Sequence, residues 1–182
     1  MMDGMDSIRI ALISTGGTIE KTYDELSGVL ANQVSVLEVM LGQIVLGDVE
    51  LVRVPLMNKD SMDMTEHDHT LIAQTAGNLG QVHHGVVVIH GTDRLVETGN
   101  RMVELLDTPH APIVLTGAMR PYALRNTDAL QNLTGALLAV QFVEPGIYMS
   151  MHNRVLAFPG VMKDRERGTF VMVEEGEESH EP

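Results

Sequence analysis

The chain has 182 residues, 44% of them hydrophobic, no cysteine, and a formal net charge of −13. That is enough apolar chain for one sizeable core, and it excludes disulfide and thiolate chemistry. The acidic balance and the 3% aromatic content, without tryptophan, argue against nucleic-acid binding, which needs clustered cations and stacking rings.

No apolar run approaches the length of a membrane span, and the start MMDGMDS carries two Asp and no Lys or Arg, unlike a secretory signal. A cytoplasmic protein is expected. The first strong element is IRIALIS, residues 8–14, which reads as a strand buried on both faces. Ser35 is placed to cap a helix running to about Val45, with Val36, Met40 and Ile44 on one face. Residues 49–56 read as a second strand. Thr65 can cap the next helix, with Glu66 and Asp68 in its first turn, where the dipole favours acids, and Leu71, Ile72 and Leu79 inward. Strands follow at 85–90 and 112–117. Between them Leu95, Met102, Val103 and Leu106 recur at helical spacing. Thr127 can cap a last helix, with Leu130, Leu133, Leu137 and Val140 on one face. The chain then changes texture: residues 147–150 and 154–158 flank His152-Asn153, and asparagine tolerates the left-handed backbone of a tight hairpin. The densest charge cluster, 161–168, lies beyond, and 174–182, with five Glu, reads as a solvated tail. Strand alternating with helix predicts an α/β domain over 1–173. Its sheet is mostly parallel, with helices on both faces and a C-terminal β-hairpin.

Such sheets bind ligands at the carboxyl ends of their strands. There the sequence repeats one grammar. Ser14-Thr15-Gly16-Gly17-Thr18 ends the first strand, and His90-Gly91-Thr92-Asp93 ends the third. Thr116-Gly117-Ala118 ends the fourth. Glycines let a backbone approach a ligand, and the threonines offer hydroxyls for a nucleophile or for anion binding. Each residue also has a structural reading: Thr18 as a turn or helix cap, Thr92-Asp93 as the N-cap of the helix from Leu95, Lys163 as a solvated charge. His67 and His69 stand at i and i+2, which do not face each other on a helix, so no metal site is expected there. His83-His84 reads as a solvated loop.

TGGTIE at 15–20, HGTD at 90–93, TGAMRP at 116–121, Asp60-Ser61 with Met64, and Lys163 together resemble the bacterial-type L-asparaginase and glutaminase-asparaginase family, in the family's order from about Ile8 to Phe170. The resemblance implies a Rossmann-like three-layer fold and an amidohydrolase that converts L-asparagine to L-aspartate and ammonia through an acyl-enzyme. It implies no metal and no cofactor. Thr18 is then the nucleophile, and Tyr23 helps to activate or orient it. Thr92, Lys163 and Asp93 stand on the other side of the scissile carbon. Asp93 also holds the substrate α-ammonium and Ser61 its α-carboxylate. The backbone of Ala118 faces the leaving amide. Asp60 and Gly91 complete the substrate-binding positions. Segment 18–30 is expected to close as a lid.

Two departures from the family's pattern matter. Arg94 follows Asp93 where the family usually has threonine; a cation in the first helical turn opposes the dipole, so Arg94 is either solvated or has a use, such as pairing with Asp93 or attracting an anionic substrate. Most members also carry a second domain, which in a neighbouring protomer completes the site. The expected partners are the amino acid and further copies of the chain, as a dimer or tetramer. Glutamine, the amide of a larger molecule, and a non-catalytic amino-acid-binding module are the alternative readings.

Overall fold

The computed structural model describes residues 7–24, 29–31 and 36–173, excepting the side chains of 22–24 and 29–31. Ser35, residues 25–28 of the expected lid and the acidic tail 174–182 lie outside the described residues. Strand β1 (Ile8–Gly16) ends in a 3-10 turn at Thr18–Glu20 and is followed by the short antiparallel pair β2 (Thr22–Asp24) and β3 (Val29–Ala31). Next come helix α1 (Leu37–Leu41), strand β4 (Val49–Lys59), a 3-10 turn at Ser61–Asp63, and helix α2 (Glu66–Gly80). Strand β5 (Gly85–Ile89), helix α3 (Leu95–Leu105), strand β6 (Ile113–Thr116) and helix α4 (Ala129–Ala139) continue the alternation. Two hairpins close the described chain: β7 (Ile147–Met151) with β8 (Arg154–Ala157), and β9 (Val161–Asp164) with β10 (Thr169–Met172).

Six strands form one sheet in the order β4-β1-β5-β6-β7-β8, parallel throughout except for β8. The three central strands are buried along nearly their whole length, which explains their unbroken Val, Ile and Leu runs. Alternate residues feed two cores. Ala11, Ile13, Val86, Val88 and Leu115 face α2 and α3, whereas Ile10, Leu12, Val87, Ile89 and Val114 face α1 and α4. This is the expected three-layer arrangement. β4 has no fully buried residue and forms an edge, which is why Pro55 is tolerated within it.

Local chemistry explains the helix starts. Thr65 and Asp68 form a reciprocal capping box at α2. At α4 the N-cap is Asp128 rather than Thr127; the Thr127 hydroxyl accepts the Ala129 N–H at 3.0 Å. Helix α1 spans only Leu37–Leu41, well short of Val45. The β7–β8 turn places His152 and Asn153 at φ values of +52° and +61°, as the asparagine suggested. The charged segment 161–168 is not only a solvated cluster: it holds β9 and the turn into β10, with Val161 and Phe170 buried. No described helix is long and apolar enough to cross a membrane.

Candidate active site

After β1 the chain first adds β4 on one side and then β5 on the other. The winding therefore reverses between β1 and β5, and a crevice opens at the carboxyl ends of those strands. The two glycine-threonine turns lie there. The Thr15 hydroxyl donates to the Ile89 carbonyl at 2.8 Å, fastening one strand end to the other. Gly17 has a φ of +87°, and a Cβ placed on it would lie 2.6 Å from both Cα and N of Gly91. The backbones thus touch at a position only glycine allows, and Thr18 and Thr92 each follow one of the touching residues.

The contact extends further. A Cβ on Gly91 would lie 2.5 Å from the Ser61 Oγ, and one on Gly117 would lie 2.3 Å from the His90 carbonyl and 3.2 Å from the Thr92 side chain. Ser61, Thr92 and Ala118 are buried around this cluster, and Thr18 is half-buried. Asp60 caps the turn carrying Ser61 by accepting the Met62 N–H at 3.1 Å, and it pairs with Lys21 at 2.7 Å. The hydrogen bond from Lys21 and the Met62 N–H hold the Asp60 carboxyl below its ordinary range.

Lys163 reaches the same edge from β9. Its Nζ donates to Thr92 Oγ1 at 3.0 Å and to Asp93 Oδ1 at 2.8 Å, with its side chain only 14% exposed. Arg165 approaches the same Asp93 oxygen at 3.7 Å but is largely exposed. The two threonine turns, Asp60, Ser61, Ala118 and Lys163 are therefore brought together. Tyr23 lies in β2, and its side chain is outside those described. Arg94 does not bind Asp93: its Nε pairs with Glu97 at 3.0 Å and its guanidinium donates to the Met64 carbonyl. No group of three or more possible metal ligands occurs among the described residues.

Behind the crevice lies a chain of polar groups that sequence spacing did not reveal. His90 Nδ1 meets the carbonyl of neighbouring Gly91 at 2.7 Å, and its Nε2 meets Thr98 Oγ1 at 2.8 Å. Thr98 Oγ1 also meets His69 Nδ1 at 2.6 Å. Complete burial lowers His90 to about 4, and burial also lowers His69. Both rings are neutral at pH 7, which fixes every proton. A carbonyl only accepts, so His90 carries its hydrogen on Nδ1 and accepts at Nε2 from the Thr98 hydroxyl. Thr98 then accepts from His69 Nδ1–H. His69 Nε2 is left as a buried acceptor with no partner among the described residues. His83 and His84 are not merely solvated either: His84 Nδ1 accepts the Arg9 N–H at 3.0 Å, and His83 Nδ1 bonds the Leu79 carbonyl at 2.9 Å.

A family model described as "Asparaginase, N-terminal" matches residues 9–171. The chain belongs to the asparaginase family. Among solved structures, the thermostable L-asparaginase from Thermococcus kodakarensis is 28% identical with a TM-score of 0.82, over 91% of this chain and 51% of that one. A probable cytoplasmic L-asparaginase from Campylobacter jejuni is 28% identical with a TM-score of 0.72, over 91% and 53%. Among curated relatives, a glutamyl-tRNA(Gln) amidotransferase component from Haloquadratum walsbyi is 32% identical over 145 residues, 79% of this chain and 33% of that protein. The chain spans about half the length of the L-asparaginases and a third of the amidotransferase component.

Proposed function

We propose that this asparaginase-family chain is an amidohydrolase that converts L-asparagine to L-aspartate and ammonia. The observation that supports it most is the Lys163 ammonium on Thr92 and Asp93, at 3.0 and 2.8 Å, beside the Gly17–Gly91 contact. A threonine hydroxyl is a weak nucleophile and needs a neighbour to accept its proton. In the proposal the Thr18 oxygen attacks the amide carbon, Tyr23 orients the hydroxyl, and the proton passes by way of the neighbouring hydroxyls to the departing nitrogen. The C–N bond breaks, ammonia leaves, and an ester remains on Thr18. Thr92 then activates water, with Lys163 and Asp93 beside it. Water adds to the ester carbon, its proton passes by way of the Thr92 hydroxyl to the Thr18 oxygen, the C–O bond breaks, and aspartate leaves with the Thr18 hydroxyl regenerated. Backbone N–H groups of the glycine turns stabilise the oxyanion in both steps.

Asp93 and Ser61 suit the two ends of a zwitterion, with Asp60 and Gly91 shaping the pocket and the Ala118 backbone facing the amide. We propose further that copies of the chain associate, as a dimer or tetramer, in the cytoplasm. The amidotransferase relative favours a second reading, an amide other than free asparagine.

Ammonia release from asparagine and from glutamine tests this, beside Thr18→Ala and Thr92→Val. Turnover of asparagine, lost in both variants, supports the proposal. Turnover of glutamine alone moves it to the second reading. Turnover surviving in Thr18→Ala rejects Thr18 as nucleophile. No turnover of either amide, with binding of aspartate retained, makes the chain a binding module.

A further inference from the structure

The loop after β6 is held by side chains that lie outside the stretches 15–20, 90–93 and 116–121. Asp128 accepts four hydrogen bonds: from the Met119 and Arg120 N–H groups at 3.0 and 2.9 Å, from Asn132 Nδ2 at 2.8 Å, and from His152 Nε2 at 2.7 Å. Asn132 Nδ2 also donates to the Gly117 carbonyl at 2.9 Å. Ala118 therefore sits in a backbone stretch pinned at the residue before it and the two after it. Burial alone would raise the Asp128 carboxyl; the Met119 and Arg120 N–H groups, with His152, outweigh it and hold it below its ordinary range.

His152 ties this loop to a second element. Its N–H donates to Asn132 Oδ1 at 2.9 Å, and its Nδ1 meets Thr169 Oγ1 at 3.2 Å. Thr169 opens β10, whose next residue, Phe170, pairs across the hairpin with Lys163. His152 does this from a backbone φ of +52°. A left-handed residue of this type costs about 1–2 kcal/mol, and its three side-chain and backbone links offset that cost. The carboxylate can only accept, so Nε2 bears hydrogen. Nδ1 accepts from the Thr169 hydroxyl when the ring is neutral and donates to it when the ring is charged, so the bridge survives in either form.

We propose that Asp128, Asn132 and His152 are positioning residues, and that His152 couples the Ala118 loop to the strand bearing Lys163, so that the two sides of the crevice hold one register. This rests on the amide-hydrolysis reading for its kinetic consequence, but not for the coupling itself. The two ring nitrogens can be tested separately. Glutamine places its amide nitrogen near the Nε2 position, and asparagine places its own near the Nδ1 position. His152→Gln should keep the Asp128 arm and lose the Thr169 arm; His152→Asn should do the reverse. Amide hydrogen exchange is read at residues 117–120 and 161–164, with kcat and KM for asparagine. The expected result is faster exchange at 161–164 in His152→Gln and at 117–120 in His152→Asn. Each should show about tenfold lower kcat, with KM within about twofold, as for a displaced catalytic wall. Thr169→Val, a change of similar volume, should reproduce His152→Gln if the histidine variants fold poorly. Identical exchange in the variants and the wild type, or a KM effect without a kcat effect, overturns the proposal. A wild-type protein without turnover removes the amidohydrolase reading, and the exchange pattern then decides the coupling alone.

Discussion

Gly17→Ala is the sharpest test of the crevice. The added Cβ would lie 2.6 Å from the Cα and N of Gly91, where ordinary contacts begin at 3.4 Å. The obstacle is backbone, so no side chain can swing aside. The β1 and β5 turns must part by about 0.8 Å, and the alanine must also hold a φ of +87°. With ψ at −177° the backbone lies outside the left-handed helical region, in a conformation essentially reserved for glycine that costs about 1–3 kcal/mol, and overpacking against a fixed wall adds about 1–3 kcal/mol. A displacement approaching 1 Å between Thr18 and Thr92 should lower kcat by about 10²-fold. Gly47→Ala is the control: its φ is +59°, and a Cβ there meets nothing within 4 Å. That variant should show only the cost of a left-handed residue, about 1–2 kcal/mol, with unchanged turnover. Urea denaturation and ammonia release measure the two quantities. If Gly17→Ala matches Gly47→Ala in both, the backbone contact does not hold the site together and the reasoning fails.

Three further outcomes follow from the same geometry. Lys163→Met keeps the aliphatic stem and removes the ammonium from Thr92 and Asp93; kcat for asparagine should fall by about 10²–10⁴-fold, and wild-type turnover would reject Lys163 as part of the machinery. His90 is lowered from 6.5 to about 4 by burial, so the unfolded chain binds the extra proton between those values. Its stabilisation is complete above pH 6.5 and is lost as pH falls towards 4, by about 3 kcal/mol in all; a flat urea midpoint across that window would contradict the neutral chain through Thr98 and His69. Asp68 is lowered from 3.8 to about 2 by Lys59, the Thr65 N–H and the Thr65 hydroxyl, against a smaller cost of burial. Its contribution is present above 3.8 and disappears as pH falls to about 2. Lys59 is half-exposed, so Asp68→Asn should cost only about 1–2 kcal/mol at pH 7; an unchanged midpoint would show that the capping box is idle.

What was legible in the sequence was what repeats locally. Doubly buried strands announce themselves as apolar runs, and a threonine followed by acidic residues announces a helix start, whereas the reciprocal bond from Asp68 back to Thr65 shows only in the structure. The glycine-threonine turns were legible for the same reason, since each is a strand end followed by its own turn. The hairpin of β9 and β10 leaves a weaker trace, although Val161 and Phe170 are buried and Gly168 turns at a φ of +58°; the charges on residues 163–167 mask the alternation. The His90–Thr98–His69 chain lay beyond sequence reasoning for a different cause. His69 and Thr98 are 29 residues apart on different helices, and only the packing of α2 beside α3 brings them together. Asp128 and His152, 24 residues apart, meet because β7 turns back over the start of α4. Partners fixed by layer packing leave no spacing rule in the chain.

Arg94 occupies the N-cap position of α3, directly after Asp93. A cation opening α3 opposes the helix dipole by about 0.3–1 kcal/mol, so its presence needs a compensating partner. Had that partner been Asp93, which Lys163 already holds at 2.8 Å, one more cation on that carboxylate would compete with a substrate ammonium. Instead Glu97 offsets the charge within the first turn, and the guanidinium holds the Met64 carbonyl. Met64 directly follows the turn carrying Ser61, so Arg94 ties that turn to the helix that begins beside Asp93. The two placements predict opposite effects. Arg94→Leu should release the Ser61 turn and weaken aspartate binding by about tenfold, the loss of one charge-assisted hydrogen bond. Competition with Asp93 would instead make the variant bind aspartate more tightly. Calorimetric titration with L-aspartate separates the two by sign, and tighter binding would return Arg94 to the ammonium side of the site.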